Sequence, residues 1–225
     1  MARTFTTASS HSLSVTAVAV SAVPLTMAAW VKTSDITKAI NIIQIRAAFT
    51  DLFRLRLNTS GAPVAQSGQS SVFVTATASA ALSNNTWAHV AAVFASTTSR
   101  TAYLNGGNAG SDANASTPAG VTTTDMATGS DSGATLQIAL PAIWTAALSA
   151  GEIAALAAGL DPRLLQSRRA SLADFWPLIG ASPEPDWISA SRNLTVTGAV
   201  RSDDPINLVN RSARRGIPGR EINPT

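Results

Sequence analysis

Residues 85–110 read NTWAHVAAVFASTTSRTAYLNGGNAG, two strand patterns, a polar connection and a glycine turn in unbroken succession. Between 87 and 94, alternation places Trp87, His89, Ala91 and Val93 on one side and Ala88, Val90, Ala92 and Phe94 on the other. Both sides are apolar, so this strand belongs inside a sheet covered on both faces. Small polar residues at 95–99 supply a turn, and 100–104 resume the β pattern. Asn105, Gly106 and Gly107 then offer the positive φ angles of a tight reversal. The stretch predicts a β-hairpin with a shorter arm behind it.

Strand patterns continue on either side. Toward the N-terminus, residues 25–32 alternate Met27, Ala29 and Val31 against Thr26, Ala28 and Trp30. Residues 39–45 carry Ile40, Ile42, Ile43 and Ile45, too apolar for a surface loop. In 51–58, Phe53, Leu55 and Leu57 oppose Leu52, Arg54 and Arg56, so one face is core and the other wet or partnered. Residues 3–7 and 13–18 read as an outer strand pair, 58–71 as loop and 72–77 as strand. The Gly, Ser, Thr and Asp-rich 112–133 reads as connection, and 136–144 as strand. Ser149 with Glu152 three residues on is a capping box, opening a helix whose apolar stripe is Ile153 and Leu156 and which Gly159 and Pro162 end. Residues 172–178 read as the closing strand.

The runs WAHVA at 87–91 and AYLNG at 102–106 resemble the paired strands of concanavalin A-like, laminin G-type jelly rolls. LTMAAWVK at 25–32 is similar to an opening strand of that family, and IWTAALSAGEIAAL at 143–156 to its strand-to-helix segment. The resemblance covers about residues 3–178. It implies an all-β fold, an antiparallel two-sheet jelly-roll sandwich with one short helix, over residues 1–180. Residues 181–225 are then a C-terminal extension with one strand at 193–200 and an Arg- and Pro-rich tail.

Composition narrows the function classes. Zero Cys in 225 residues excludes disulfides and thiolate metal sites. A net charge of +3 is no nucleic-acid signature. No stretch reaches the roughly 18–20 apolar residues of a membrane span, and the apolar 13–23 reads as strand and loop, not signal peptide. Five arginines, Arg201, Arg211, Arg214, Arg215 and Arg220, gather beyond residue 200. Their tail lacks a burial pattern of its own, so it is expected to be partner-bound.

No catalytic set emerges. A glycosidase needs two facing carboxylates, yet the three Glu are the capping-box Glu152, Glu184 between prolines, and Glu221 in the tail. Of two His, His11 lies in a polar stretch and His89 inside the central strand, where a structural role is expected. The expectation is no enzyme and no cofactor. Calcium is the exception worth weighing: the resemblance points to loop acids, and Asp112, Asn114, Asp125 and Asp131 are the candidate ligand loop. Trp30, Trp87, Trp144 and Trp176 fall in strands and read as core, whereas Trp187 reads as an interfacial anchor.

The small-residue-rich jelly roll, the AALSAGEIAALAAG helix, the FWPL closure and the Arg/Pro tail together resemble virion proteins of tailed bacteriophages. This implies a non-enzymatic capsid decoration or cement protein, made in the host cytoplasm and located in the virion. It would be a homo-oligomer contacting the major capsid protein or other virion subunits through Trp187 and the tail arginines, with no nucleic acid and no membrane. The alternative is a carbohydrate-binding, lectin-like module of a tail or host-recognition protein, taking a host glycan at 112–133.

Overall fold

The computed structural model describes residues 1–7 and 10–202. The strands begin with β1 (Ala2–Thr6), β2 (Ser12–Val15), β3 (Leu25–Thr33), β4 (Ile40–Ala48) and β5 (Asp51–Leu57). There follow β6 (Pro63–Gln69), β7 (Val72–Thr77), β8 (Ala88–Ser96), β9 (Ser99–Leu104) and β10 (Gly107–Asp112). The last are β11 (Thr123–Met126), β12 (Thr135–Trp144), β13 (Leu172–Phe175), β14 (Thr195–Thr197) and β15 (Val200–Ser202), with helix α1 (Ala150–Ala157) after β12.

They form two antiparallel sheets. One is eight-stranded, in the order β10-β9-β8-β3-β12-β1-β15 with β13 also on β12, and the other seven-stranded, in the order β14-β2-β11-β4-β5-β6-β7. Between them lies a core of alternate residues from both, including Phe5, Met27, Val31, Val90 and Ile138 against Ile43, Ile45, Leu55 and Met126. Phe94 meets Phe53 across it edge to face, with ring centroids 5.3 Å apart.

The eight-stranded sheet is covered on its outer face as well. Ala28, Ala91, Val93 and Trp144 pack there under Ile153 and Leu156 of α1, with Leu165 and Phe175. This is why β8 is apolar on both sides: Val90, Ala92 and Phe94 enter the inter-sheet core while Ala91 and Val93 enter the outer one. The helix has eight residues, too few to persist alone, and burying Ile153 and Leu156 at about 1.5–3 kcal/mol each holds it down. Its capping box is formed as read, with Ser149 N–H donating to Glu152 Oε2 at 2.8 Å, and Gly159 ends it at φ +89°.

Four expectations change. Residues 3–7 and 13–18 do not pair: β1 lies between β12 and β15 in one sheet, and β2 between β11 and β14 in the other. Residues 58–71, read as loop, contain β6, bonded to β5 and β7 on its two sides. Its PVAQSGQ sequence has weak β propensity, and two flanking strands override it. Residues 112–133 contain β11, inserted between β2 and β4. Residues 193–200 turn at Gly198 (φ +67°) and split into β14 on one sheet and β15 on the other. Residues 181–202, expected as the start of an extension, thus complete one edge of both sheets.

At the opposite edge β7 and β10 run against each other. A Cβ on Gly110 would sit 1.7 Å from the Thr77 carbonyl oxygen, so this approach requires glycine.

Candidate ligand-binding face

The two sheets differ in their outer faces. That of the seven-stranded sheet carries a row of polar side chains in register across the strands: Ser14, Asp125, Gln44, Arg54, Gln66 and Thr75, from β2, β11, β4, β5, β6 and β7. Alternation produces it, because Phe53, Leu55, Ile45 and Ala65, one position away, all point into the core. The row is sunk into the face, with Asp125 and Gln44 fully buried, Arg54 9% and Gln66 7% exposed.

These side chains hold one another. Asp125 accepts from Gln44 Nε2 at 2.9 Å and from Arg46 Nε at 2.6 Å. Arg54 donates through Nη1 to Gln44 Oε1 at 3.3 Å, and through Nε at 2.9 Å and Nη2 to Gln66 Oε1. The segment 127–130 folds over β4 and is pinned by Asn41 Nδ2 to the Thr128 and Gly129 carbonyls at 2.9 and 2.8 Å and by Gln44 Nε2 to Thr128 at 2.7 Å. On the far side of the row, a cleft of about 300 Å³ is lined by Arg56, Asn58, Thr59, Gln66, Thr75 and Thr77.

Burial sets the electrostatics. It pushes the Arg54 guanidinium down to about 10, Arg56 adding to the shift and Asp125 opposing it. Arg56 is lowered by burial against the field of Asp131, and burial raises the Asp125 carboxyl against the pull of Arg46. Two exposed rings border the row: Phe49, with Arg46 Cζ 4.4 Å from its centroid, and Phe73, 42% exposed.

The four residues expected as a calcium loop, three Asp and one Asn, do not converge. Asp112 is bound by the Arg100 guanidinium and by Asn114 Nδ2 at 2.7 Å, and the Asn114 carbonyl accepts from Arg100 Nη2 at 2.7 Å. Asp125 is in a strand, its carboxylate committed to the row, because the segment read as connection pairs into the sheet. Asp131 accepts from the Ala39 N–H at 2.8 Å. Among the described residues, no group of three or more His, Asp and Glu could hold a metal ion, and no helix is long and apolar enough to cross a membrane.

Trp187 is 47% exposed, edge to face with Phe175 at 6.1 Å and stacked by Arg163 at 4.6 Å. Arg201 lies in β15 with its side chain against Gly180. Arg211, Arg214, Arg215 and Arg220 lie outside the described residues. His89 is buried beneath α1, edge to face with Trp30 at 5.6 Å, and burial pushes its pKa down to about 3. Trp144 and Trp176 are buried as expected, whereas Trp30 and Trp87 are half-buried on the outer face of the eight-stranded sheet. Gln44, Arg46, Gln66 and Thr75 were not singled out from sequence; the signal available was the wet face of β5, with Arg54 and Arg56.

A family model described as the concanavalin A-like lectin/glucanases superfamily (Laminin_G_3) matches residues 6–154, about two thirds of the sequence. The chain belongs to this superfamily. As a member of it, the chain resembles a native heptameric SAP-like pentraxin from Limulus polyphemus at TM-score 0.59 and 11% identity, over 88% of this chain and 95% of that one. It also resembles the botulinum neurotoxin serotype D ligand binding domain in complex with N-acetylneuraminic acid, at TM-score 0.54 and 18% identity, over 68% of this chain but 41% of that one. At these identities the likeness is one of fold. No curated protein matches the sequence.

Proposed function

We propose that this superfamily member is a non-catalytic carbohydrate-binding module that holds its ligand on the outer face of the seven-stranded sheet. The observation that carries the reading is the cross-strand row from Asp125 to Thr75 beside its cleft. Sugar recognition needs amide, hydroxyl and guanidinium groups fixed in advance, so that little side-chain freedom is lost on binding. Gln66 and Arg54 are fixed by each other, and Asn58, Thr59, Thr75 and Thr77 add donors and acceptors at the cleft wall. The row contributes one carboxylate, Asp125, bound by Arg46 and Gln44, whereas glycoside hydrolysis uses a facing pair.

The test is a glycan array probed with the full chain and with Thr75→Trp, which fills the cleft from an exposed position on an outer strand. Retention of defined glycans by the wild type, lost in Thr75→Trp, is expected. A wild type that retains none sinks the reading.

A second reading is attachment to the virion of a tailed bacteriophage as a decoration or cement protein, contacting the major capsid protein or other virion subunits in several copies. Support comes from the sequence resemblance and from β15, which leads the chain toward the arginine-rich 203–225 along a sheet edge where Val200 is 57% exposed. Deleting 203–225 should release the protein from purified particles while leaving glycan retention intact. Attachment that survives the deletion counts against it.

A further inference from the structure

We infer that the cleft takes an acidic saccharide, its carboxylate or sulfate seated against Arg56, with Arg54 in the row beside it and a pyranose ring farther along the same oligosaccharide lying on Phe73. This rests on the carbohydrate-binding reading above and names the ligand class.

The argument begins with charge. The outer face carries Arg46, Arg54 and Arg56, and the row supplies Asp125 against them. Asp125 is committed, one oxygen to Arg46 and the other to Gln44. Arg54 donates to the amide oxygens of Gln44 and Gln66, which are neutral, and forms no ion pair among the described residues. The Arg56 guanidinium makes a single long bond, Nε to the Leu57 carbonyl at 3.4 Å, and no ion pair among the described residues. Its nearest electrostatic partner, Asp131, acts from a loop and already accepts from the Ala39 N–H.

Arg56 therefore lines the cleft and Arg54 lies almost wholly buried in the row beside it, neither with a carboxylate within ion-pair distance among the described residues, Asp131 and Asp125 acting on them only from farther off. A cation withdrawn from water without a counter-charge is costly, and a bound anion offsets that cost. The planar guanidinium also matches carboxylate and sulfate oxygens in a two-point contact that a hydroxyl cannot reproduce. A neutral glycan would leave both charges as they are.

Phe73 supplies the other half. It lies on the same face of β7 as Thr75, two positions away and so about 7 Å along the strand. Its ring lies against the Gly68 backbone, where a Cβ would come within 2.6 Å of a ring carbon, and the side chain is 42% exposed. Arg56 is in register with Thr77, four positions from Phe73 and so about 13 Å along the strand, a separation that suits an oligosaccharide whose acidic residue is about two rings from the one on Phe73.

The experiment presents neutral oligosaccharides alongside sialylated, uronate-bearing and sulfated ones to the full chain and to Arg56→Gln, Arg56→Lys and Phe73→Ala. Acidic saccharides should bind, with affinity that falls as salt rises. Arg56→Gln should weaken them by about tenfold or more, Arg56→Lys by less, and Phe73→Ala should weaken them without changing the salt dependence. Neutral glycans bound with an affinity that Arg56→Gln leaves unchanged would overturn the inference and leave the carbohydrate reading standing. Acidic saccharides bound equally by all four proteins would overturn the placement, and no saccharide bound at all would overturn the reading beneath it.

Discussion

Arg3 and Glu184, 181 positions apart in sequence, form a buried ion pair with Nε and Oε1 2.6 Å apart. The same guanidinium donates to the Ala199 carbonyl at 2.6 Å and to that of Ala181, and Glu184 Oε1 also accepts from the Gly180 N–H at 2.8 Å. One cluster thus ties β1 to the segment that supplies β14 and β15. A boundary drawn at residue 180 passes through it.

Removing one partner of a buried pair strands the other, at a cost of about 3–5 kcal/mol. Glu184→Ala should lower the urea midpoint accordingly, with fluorescence and circular dichroism reporting a single transition. A shift below about 1 kcal/mol would mean that residues 181–202 are held by packing alone.

Asp174 gives a pH signature. Burial pushes its carboxyl up to about 7, Asp186 adding to the shift and Arg192 opposing it. Its Oδ2 is buried without a hydrogen-bond partner, a place for that proton. Because the folded pKa lies above the ordinary carboxyl value of 3.8, the group's contribution to stability is complete below about 4 and is lost as pH rises toward 7. His89 works in the opposite sense: its folded pKa of about 3 is below 6.5, so its contribution is present above 6.5 and lost as pH falls. The difference in Tm between wild type and Asp174→Asn separates the two, and it should shrink steadily from pH 4 to 7. A difference independent of pH would exclude a proton held by Asp174 over this range.

Gly110→Ala should be among the costlier single-methyl additions to this fold. The new Cβ would meet the Thr77 carbonyl at 1.7 Å, a backbone atom that cannot rotate away. β10 and β7 must separate, and about 3 kcal/mol or more is expected from denaturant unfolding. Gly107→Ala on the same strand, where nothing lies within 4 Å, is the control and should change little.

Ser149→Ala removes the oxygen that accepts the Glu152 N–H at 3.3 Å and should cost about 1 kcal/mol. Because α1 covers the outer face of the eight-stranded sheet, the loss should appear first as faster hydrogen exchange in α1, with glycan retention unchanged. Slower retention instead would place the helix in the binding site.

Much of this architecture was legible in advance. Alternation located β3, β5, β7, β8, β9 and β12, and Ser149 with Glu152 located the helix, because these signals are local: a residue's neighbours one, two or three positions away decide which face is buried or which N–H is capped. The wet face of β5 was legible for the same reason.

Partnership was not. β6, with its Gln, Ser and Gly, and β11, four residues inside a Gly- and Ser-rich segment, did not stand out as strands, and they become strands because β5, β7, β2 and β4 offer hydrogen bonds on both sides. Asp125 read as a loop acid until the fold set it beside Gln44, 81 positions earlier in the chain. Strand order and register arise from contacts between distant segments, which periodicity does not encode. The chain's own pattern determined which segments are strands and where the helix is capped, its motifs carried the resemblance to a two-sheet sandwich, and tertiary pairing alone decided which polar side chains line up on an outer face.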